Sequence, residues 1–134
     1  MRLDLADLST IKASAQEFLS KESKLHVLFN NAGIQAPPQG SRSVQGYELQ
    51  VAVNNLGPFL FTKFLTLILA RTAASEPPST VRVIWLSSAA AGLNSHRPGG
   101  VDLSNLDYHA EKPPMVQYAI SKAGSYPQGT EFAK

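Results

Sequence analysis

Leu25-His26-Val27-Leu28-Phe29-Asn30 runs directly into Asn31-Ala32-Gly33, an apolar stretch closed by amide and small side chains. Near-continuous apolarity over so short a length suits a strand covered on both faces, as strands of a parallel sheet are. A second stretch of the same kind, Val81-Arg82-Val83-Ile84-Trp85-Leu86-Ser87, leads into Ser88-Ala89-Ala90-Ala91-Gly92. Between the two, Tyr47 to Arg71 reads as helix, with Gly57-Pro58 in its middle. Proline there removes a backbone donor and predicts a kink or a break.

The pattern extends outward in both directions. Upstream, a helix is predicted from about Leu8 to Lys21, capped by Asp7 or Ser9, with Ile11, Ala15, Phe18 and Leu19 on one face. Leu3-Asp4-Leu5 reads as the tail of an earlier strand. Residues 34 to 46, with Pro37, Pro38, Gly40 and Gly46, form a loop, as do residues 93 to 114. A last helix begins near Met115, and Pro127 predicts its kink or end near Gly124. Strands alternating with helices imply an α/β fold, a partial doubly wound parallel sheet. Ligands in such sheets bind outside the carboxyl ends of the strands. Here those ends carry Asp4, Asn31-Ala32-Gly33 and Ser87-Ser88.

Composition narrows the function classes. The 134 residues suffice for one domain; 43% are hydrophobic and 16% charged, a globular balance. The net charge of +2 comes from scattered Lys and Arg, whereas nucleic-acid binding needs them clustered along a phosphate backbone. With no cysteine, disulfides and thiolate metal sites are excluded. The N-terminal Met1-Arg2-Leu3-Asp4-Leu5 alternates charge and apolarity, unlike a secretory signal, and an intracellular, cytoplasmic location is expected. Leu56 to Ala70 contains Pro58 and Lys63 and falls short of the roughly 20 residues needed to span a bilayer. It is expected to be a buried helix, with no membrane span.

Several residue types suggest chemistry. Tyr118 and Lys122 stand one helical turn apart in Tyr118-Ala119-Ile120-Ser121-Lys122, so their side chains share a face. A nearby ammonium favours phenolate and would let Tyr118 exchange a proton with a substrate oxygen. Taken alone, the bare pair reads rather as an exposed cation–aromatic contact on a solvated face. Ser88 could donate to a carbonyl oxygen gaining negative charge, or cap a helix. Asn54, beside the Gly57-Pro58 break, could hold a water or a free backbone group, or face solvent. Asn31-Ala32-Gly33 would let a flat ligand approach the backbone closely, and would look much the same as a plain turn.

Taken in order, these motifs carry a resemblance. Asn-Asn-Ala-Gly after a strand, Asn-x-x-Gly (Asn54 to Gly57) in the next helix, Ser-Ser after the next strand and Tyr-x-x-x-Lys opening a further helix resemble the central signature of the short-chain dehydrogenase/reductase family. The resemblance runs from Leu3-Asp4-Leu5 to Glu131-Phe132-Ala133. The 30-residue gap between Ser88 and Tyr118 looks most like the retinol-dehydrogenase-like branch and its fungal members. It implies an NAD(P)-dependent oxidoreductase that moves hydride between a nicotinamide, NADP or NAD, and a small-molecule carbonyl or secondary alcohol. Tyr118 would be the general acid and base. Lys122 would lower the Tyr118 pKa and bond the nicotinamide ribose, and Ser88 would hold the substrate oxygen. Asn54 would anchor a water linking Lys122 to solvent. Asn31, Ala32 and Gly33 would lie along the cofactor, and Asp4 would reach the adenine amino group. No metal is implied, and a homodimer through the Phe59 to Ala70 helix would fit the family.

The chain also departs from that pattern. Its nine glycines nowhere give Thr-Gly-x-x-x-Gly-x-Gly, the turn that seats a pyrophosphate on a helix N-terminus. Residues 1–134 are therefore expected to form a single incomplete Rossmann-like domain, without the Gly-rich βαβ unit and the last strands. Open sheet edges, marginal stability and weak cofactor affinity would follow. The alternative to an enzyme is a truncated, non-catalytic fragment or pseudoenzyme with at most an interaction role.

Overall fold

In the computed structural model, which describes residues 1–94 and 101–133, two parallel strands are joined by a long helix and flanked by shorter ones. Pro98, Gly99 and Gly100 of the expected 93–114 loop lie outside the described residues. Helix α1 spans Leu8–Lys21, as its sequence predicts. Asp7 caps it, accepting the Ser9 amide at 3.1 Å, and Lys21 in the last turn pairs with Glu17 at 2.5 Å and complements the helix dipole. Ile11, Ser14 and Ala15, at helical spacing, are its buried face.

Strands β1 (Val27–Asn30) and β2 (Arg82–Trp85) pair in parallel, with Val27 opposite Arg82 and Asn30 opposite Trp85. Side chains alternate across a strand, and only one face of β1 is covered. Leu28 packs on the core and Asn30 donates to Thr62 at 3.0 Å, while Val27 and Phe29 are 40% and 63% exposed. The expectation of cover on both faces is thus corrected: helices α1 and α3 lie on one side, and no described element lies on the other. The expected strand at Leu3 to Leu5 is also absent among the described residues. Those residues run as irregular chain, because no strand lies alongside to accept their hydrogen bonds; Leu3 and Leu5 still pack on the core.

The crossover is one helical stretch of three parts: α2 (Leu49–Val51), a π-helical segment (Ala52–Leu56) and α3 (Gly57–Ser75). The break expected at Gly57-Pro58 appears as this wider turn. Pro58 has no N–H for the Asn54 carbonyl, and the Gly57 amide reaches back five residues to Ala52. Gly57 has its own reason. A Cβ there would stand 2.9 Å from Leu5 Cβ and 3.0 Å from the Leu5 carbonyl, so only glycine admits the N-terminal chain over the helix. The stretch Leu49–Ser75 is 27 residues long and its most apolar window has mean hydropathy 1.3, enough by length and composition to cross a membrane, so the expected argument from length fails. As expected of a buried helix, 61% of its apolar window is inside the molecule, and Phe61, Leu65, Ile68 and Leu69 form the core with Ile11 and Ala15.

After β2 come α4 (Ala89–Asn94), a 3₁₀ turn (Leu103–Asn105), α5 (Pro114–Ala123) and α6 (Ser125–Phe132). The break expected from Pro127 falls at Gly124. Pro127 then sits in the first turn of α6, where a backbone N–H has no helical partner to lose. Phe132 stacks on Trp85 at 5.4 Å and meets Phe59 edge-on at 5.6 Å, fastening α6 to β2 and α3. A second cluster, Val51, Tyr108 and Ile120, seats the 101–113 loop against α5. Burial first, and then the Glu48 charge, push the Tyr108 phenol up, and its hydroxyl donates to the Gln117 carbonyl at 3.2 Å.

Candidate active site

Both strands end at α5. The Lys122 ammonium, 6% exposed, donates to the Leu86 carbonyl just past β2 at 2.5 Å, and the Ser87 hydroxyl donates to the Lys122 carbonyl at 2.8 Å. Burial pushes the Lys122 pKa down, since an ammonium loses its water shell there. From β1, Gly33 enters the same place. A Cβ on Gly33 would lie 2.8 Å from Asn54 Oδ1 and 3.7 Å from Lys122 Nζ, so its bare Cα lets three elements converge. The structure thereby brings Gly33, Asn54 and Lys122 together at the carboxyl end of the sheet.

Asn54 holds a free stretch of backbone. Its Oδ1 accepts the Ile34 amide at 2.8 Å, and its Nδ2 donates to the Ile34 carbonyl at 3.0 Å and to the Ser121 hydroxyl at 2.8 Å. Both of its amide protons are thus used, while Oδ1, with two lone pairs, accepts one bond. The Asn54 carbonyl has no α-helical donor, because Pro58 lacks an N–H.

Ser88 opens α4, and its hydroxyl accepts the Ala90 amide at 3.2 Å. That is the capping arrangement, and it leaves the hydroxyl proton free to donate elsewhere. Tyr118 lies half-buried on α5, one turn before Lys122. Asn31, Ala32 and Gly33 are exposed along the rim after β1. Asp4 lies apart from this cluster in its bonding, turning its carboxylate onto the Ala6 amide at 2.9 Å.

Several contributors escape sequence reasoning. Ser121, Asn55 and Ser87 all hold α5, and Gln50, wholly buried, ties the loop after β1 to its start. Gln50 accepts the Ala36 amide at 3.0 Å and donates to the Pro114 carbonyl at 3.5 Å, holding Ala36 at a left-handed φ of 45°. The Asn54-Asn55 doublet and the serine inside the Tyr-Lys turn were the visible signals, but neither residue type announces a partner.

No protein-family model matches the chain. Individual proteins do. A short-chain dehydrogenase/reductase of Emericella nidulans, pkfC, is 53% identical over 132 residues, covering 98% of this chain and 42% of the relative. One of Phomopsis amygdali is 48% identical over 134 residues, covering 100% and 40%. The chain thus spans about two fifths of the length of the curated relatives it matches. Among solved structures, an uncharacterised protein from Mycobacterium paratuberculosis matches with TM-score 0.67 and 32% identity, over 91% of this chain and 38% of that one. The NADPH-bound carbonyl reductase from chicken fatty liver matches with TM-score 0.59 and 26% identity, over 92% and 46%. Resemblance along the whole sequence, joined to a shared Rossmann-like α/β arrangement, places this chain in the short-chain dehydrogenase/reductase family.

Proposed function

We propose that the protein carrying this chain is an oxidoreductase that uses NADP or NAD to interconvert a carbonyl and a secondary alcohol. The observation that carries the reading is the seating of Lys122 on the Leu86 carbonyl beside Gly33 and Asn54, which sets the Tyr118–Lys122 turn at the carboxyl ends of both strands. The nicotinamide, when bound, supplies or accepts the hydride. The residues present fit that end of the cofactor. Asn31, Ala32 and Gly33 offer a rim of small side chains and open backbone, and Lys122 keeps two ammonium protons beyond its bond to Leu86 for ribose hydroxyls. Asp4 would take the adenine amino group with a carboxylate oxygen. The pyrophosphate end is not served by any glycine-rich turn in this sequence.

In reduction, Tyr118 would pass its phenolic proton to the substrate oxygen while Ser88 donates its free hydroxyl proton to the same oxygen. Lys122, one turn away, would stabilise the negative charge left on Tyr118. A water on the Asn54 carbonyl would return the proton. Tyr118→Phe in the full-length protein should lower turnover by about 10²–10⁴-fold, the usual worth of a general acid. NADPH affinity by fluorescence titration should stay unchanged; retained turnover would remove the assignment. The missing phosphate-binding turn favours a second reading for the 134-residue stretch by itself, a fragment without turnover. NADPH and NADH titrations of that stretch test whether the glycine-rich turn is indispensable for binding, and micromolar affinity would show that it is not.

A further inference from the structure

Two neighbouring asparagines in the π segment close on one residue of α5. Asn54 donates to the Ser121 hydroxyl at 2.8 Å, and Asn55 donates to the Ser121 carbonyl at 2.8 Å. The Ser121 hydroxyl donates in turn to the Tyr118 carbonyl at 2.8 Å. Ser121 is 2% exposed and sits between Tyr118 and Lys122 in sequence. Its carbonyl comes free at the break between α5 and α6, where Asn55 takes it. Gly124 makes this possible: a Cβ there would lie 2.3 Å from Asn55 Oδ1. On the strand side, Ser87 holds the Lys122 carbonyl. One turn of α5 is therefore held at the side chain and main chain of Ser121 by side-chain amides of the π segment, and at the Lys122 carbonyl by the Ser87 hydroxyl just past β2.

We propose that Ser121 and Asn55 are positioning residues, which fix the roll of α5 about its axis and so the placement of Tyr118 and Lys122 at the strand ends. This rests on the reading of Tyr118 and Lys122 as the reacting pair. A single contact would leave the helix free to roll; two contacts on adjacent groups of Ser121 do not. Reaction rates respond steeply to such placement, and a displacement near 1 Å can cost on the order of 10²-fold.

Ser121→Ala and Asn55→Leu in the full-length protein should each lower kcat by about tenfold or more. KM for the nicotinamide should rise alongside, because Lys122 bonds its ribose, and Ser121→Thr, which keeps the hydroxyl, should recover most of kcat and of cofactor affinity. An unchanged kcat in Ser121→Ala, or a Ser121→Thr that recovers no more than Ser121→Ala does, would overturn the proposal. A second measurement does not depend on activity. In the 134-residue chain, amide exchange at Lys122 and Ala123 should quicken by about tenfold in Ser121→Ala while Ala15 and Phe18 of α1 keep theirs, since local openings report local bonds. If the parent protein shows no nicotinamide-dependent turnover, the proposed function falls, and exchange alone decides the clamp. Equal protection in both chains would overturn it.

Discussion

Lys122 shows how much of a site one residue can organise. Its ammonium is buried with the Leu86 carbonyl as its acceptor among the described residues, and burial holds its pKa below the ordinary lysine range. A group with a lower pKa folded than unfolded gives the unfolded chain more bound protons between the two values, so stability rises with pH across that window. Below the folded pKa the buried charge carries its desolvation cost in full. The cost lifts as pH climbs through that value towards about 10.4, the unfolded lysine pKa. Urea midpoints measured between about pH 7 and pH 10 should therefore rise for the parent relative to Lys122→Met. Parallel curves would contradict the burial of the charge. The sequence showed Tyr118 and Lys122 on one face because helical spacing is local. It could not show that Lys122 reaches Leu86 or that Asn54 grips Ile34, since those bonds span 36 and 20 residues.

Elements were legible where their ends carry local chemistry. Asp7 capping α1, and Gly124 with Pro127 dividing α5 from α6, are signals within a few residues of their effect. The π segment was legible only as trouble at Gly57-Pro58; its form depends on Asn54 and Asn55 finding Ile34 and Ser121, which no window of sequence contains. Cover of the strands was misread for a related reason. Apolar runs report the environment a strand is suited to, and Val27 and Phe29 are open in this chain. Helix α3 carries the packing that remains. Leu65, 1% exposed, sits in the core with Ile11 and Ala15 of α1. Leu65→Ala should cost about 2–5 kcal/mol through lost burial and a cavity. Domains of this size are stable by only about 5–15 kcal/mol, so the urea transition should move sharply down or lose cooperativity; a shift under 1 kcal/mol, about the median for all point changes, would mean that the α1–α3 contact is not the main core.

For the whole molecule, the sheet decides behaviour in solution. Val27 at 40%, Phe29 at 63% and Leu86 at 44% exposure leave apolar side chains open at β1 and just past β2. β1 and β2 pair only with each other among the described residues, so each also presents an edge of unpaired backbone groups. Apolar surface beside an open edge is a template for another chain. The 134-residue chain should therefore self-associate, with sedimentation coefficients that rise with concentration and with binding of a hydrophobic dye. Phe29→Lys places a charge on that face and removes little burial from the fold, because the side chain is mostly in water already. It should reduce association and dye binding and leave the urea midpoint within about 0.5 kcal/mol of the parent, as surface changes usually do. Should the chain stay monomeric at high concentration, or should Phe29→Lys unfold it, the open face would have to be covered in solution by chain that the structure places elsewhere.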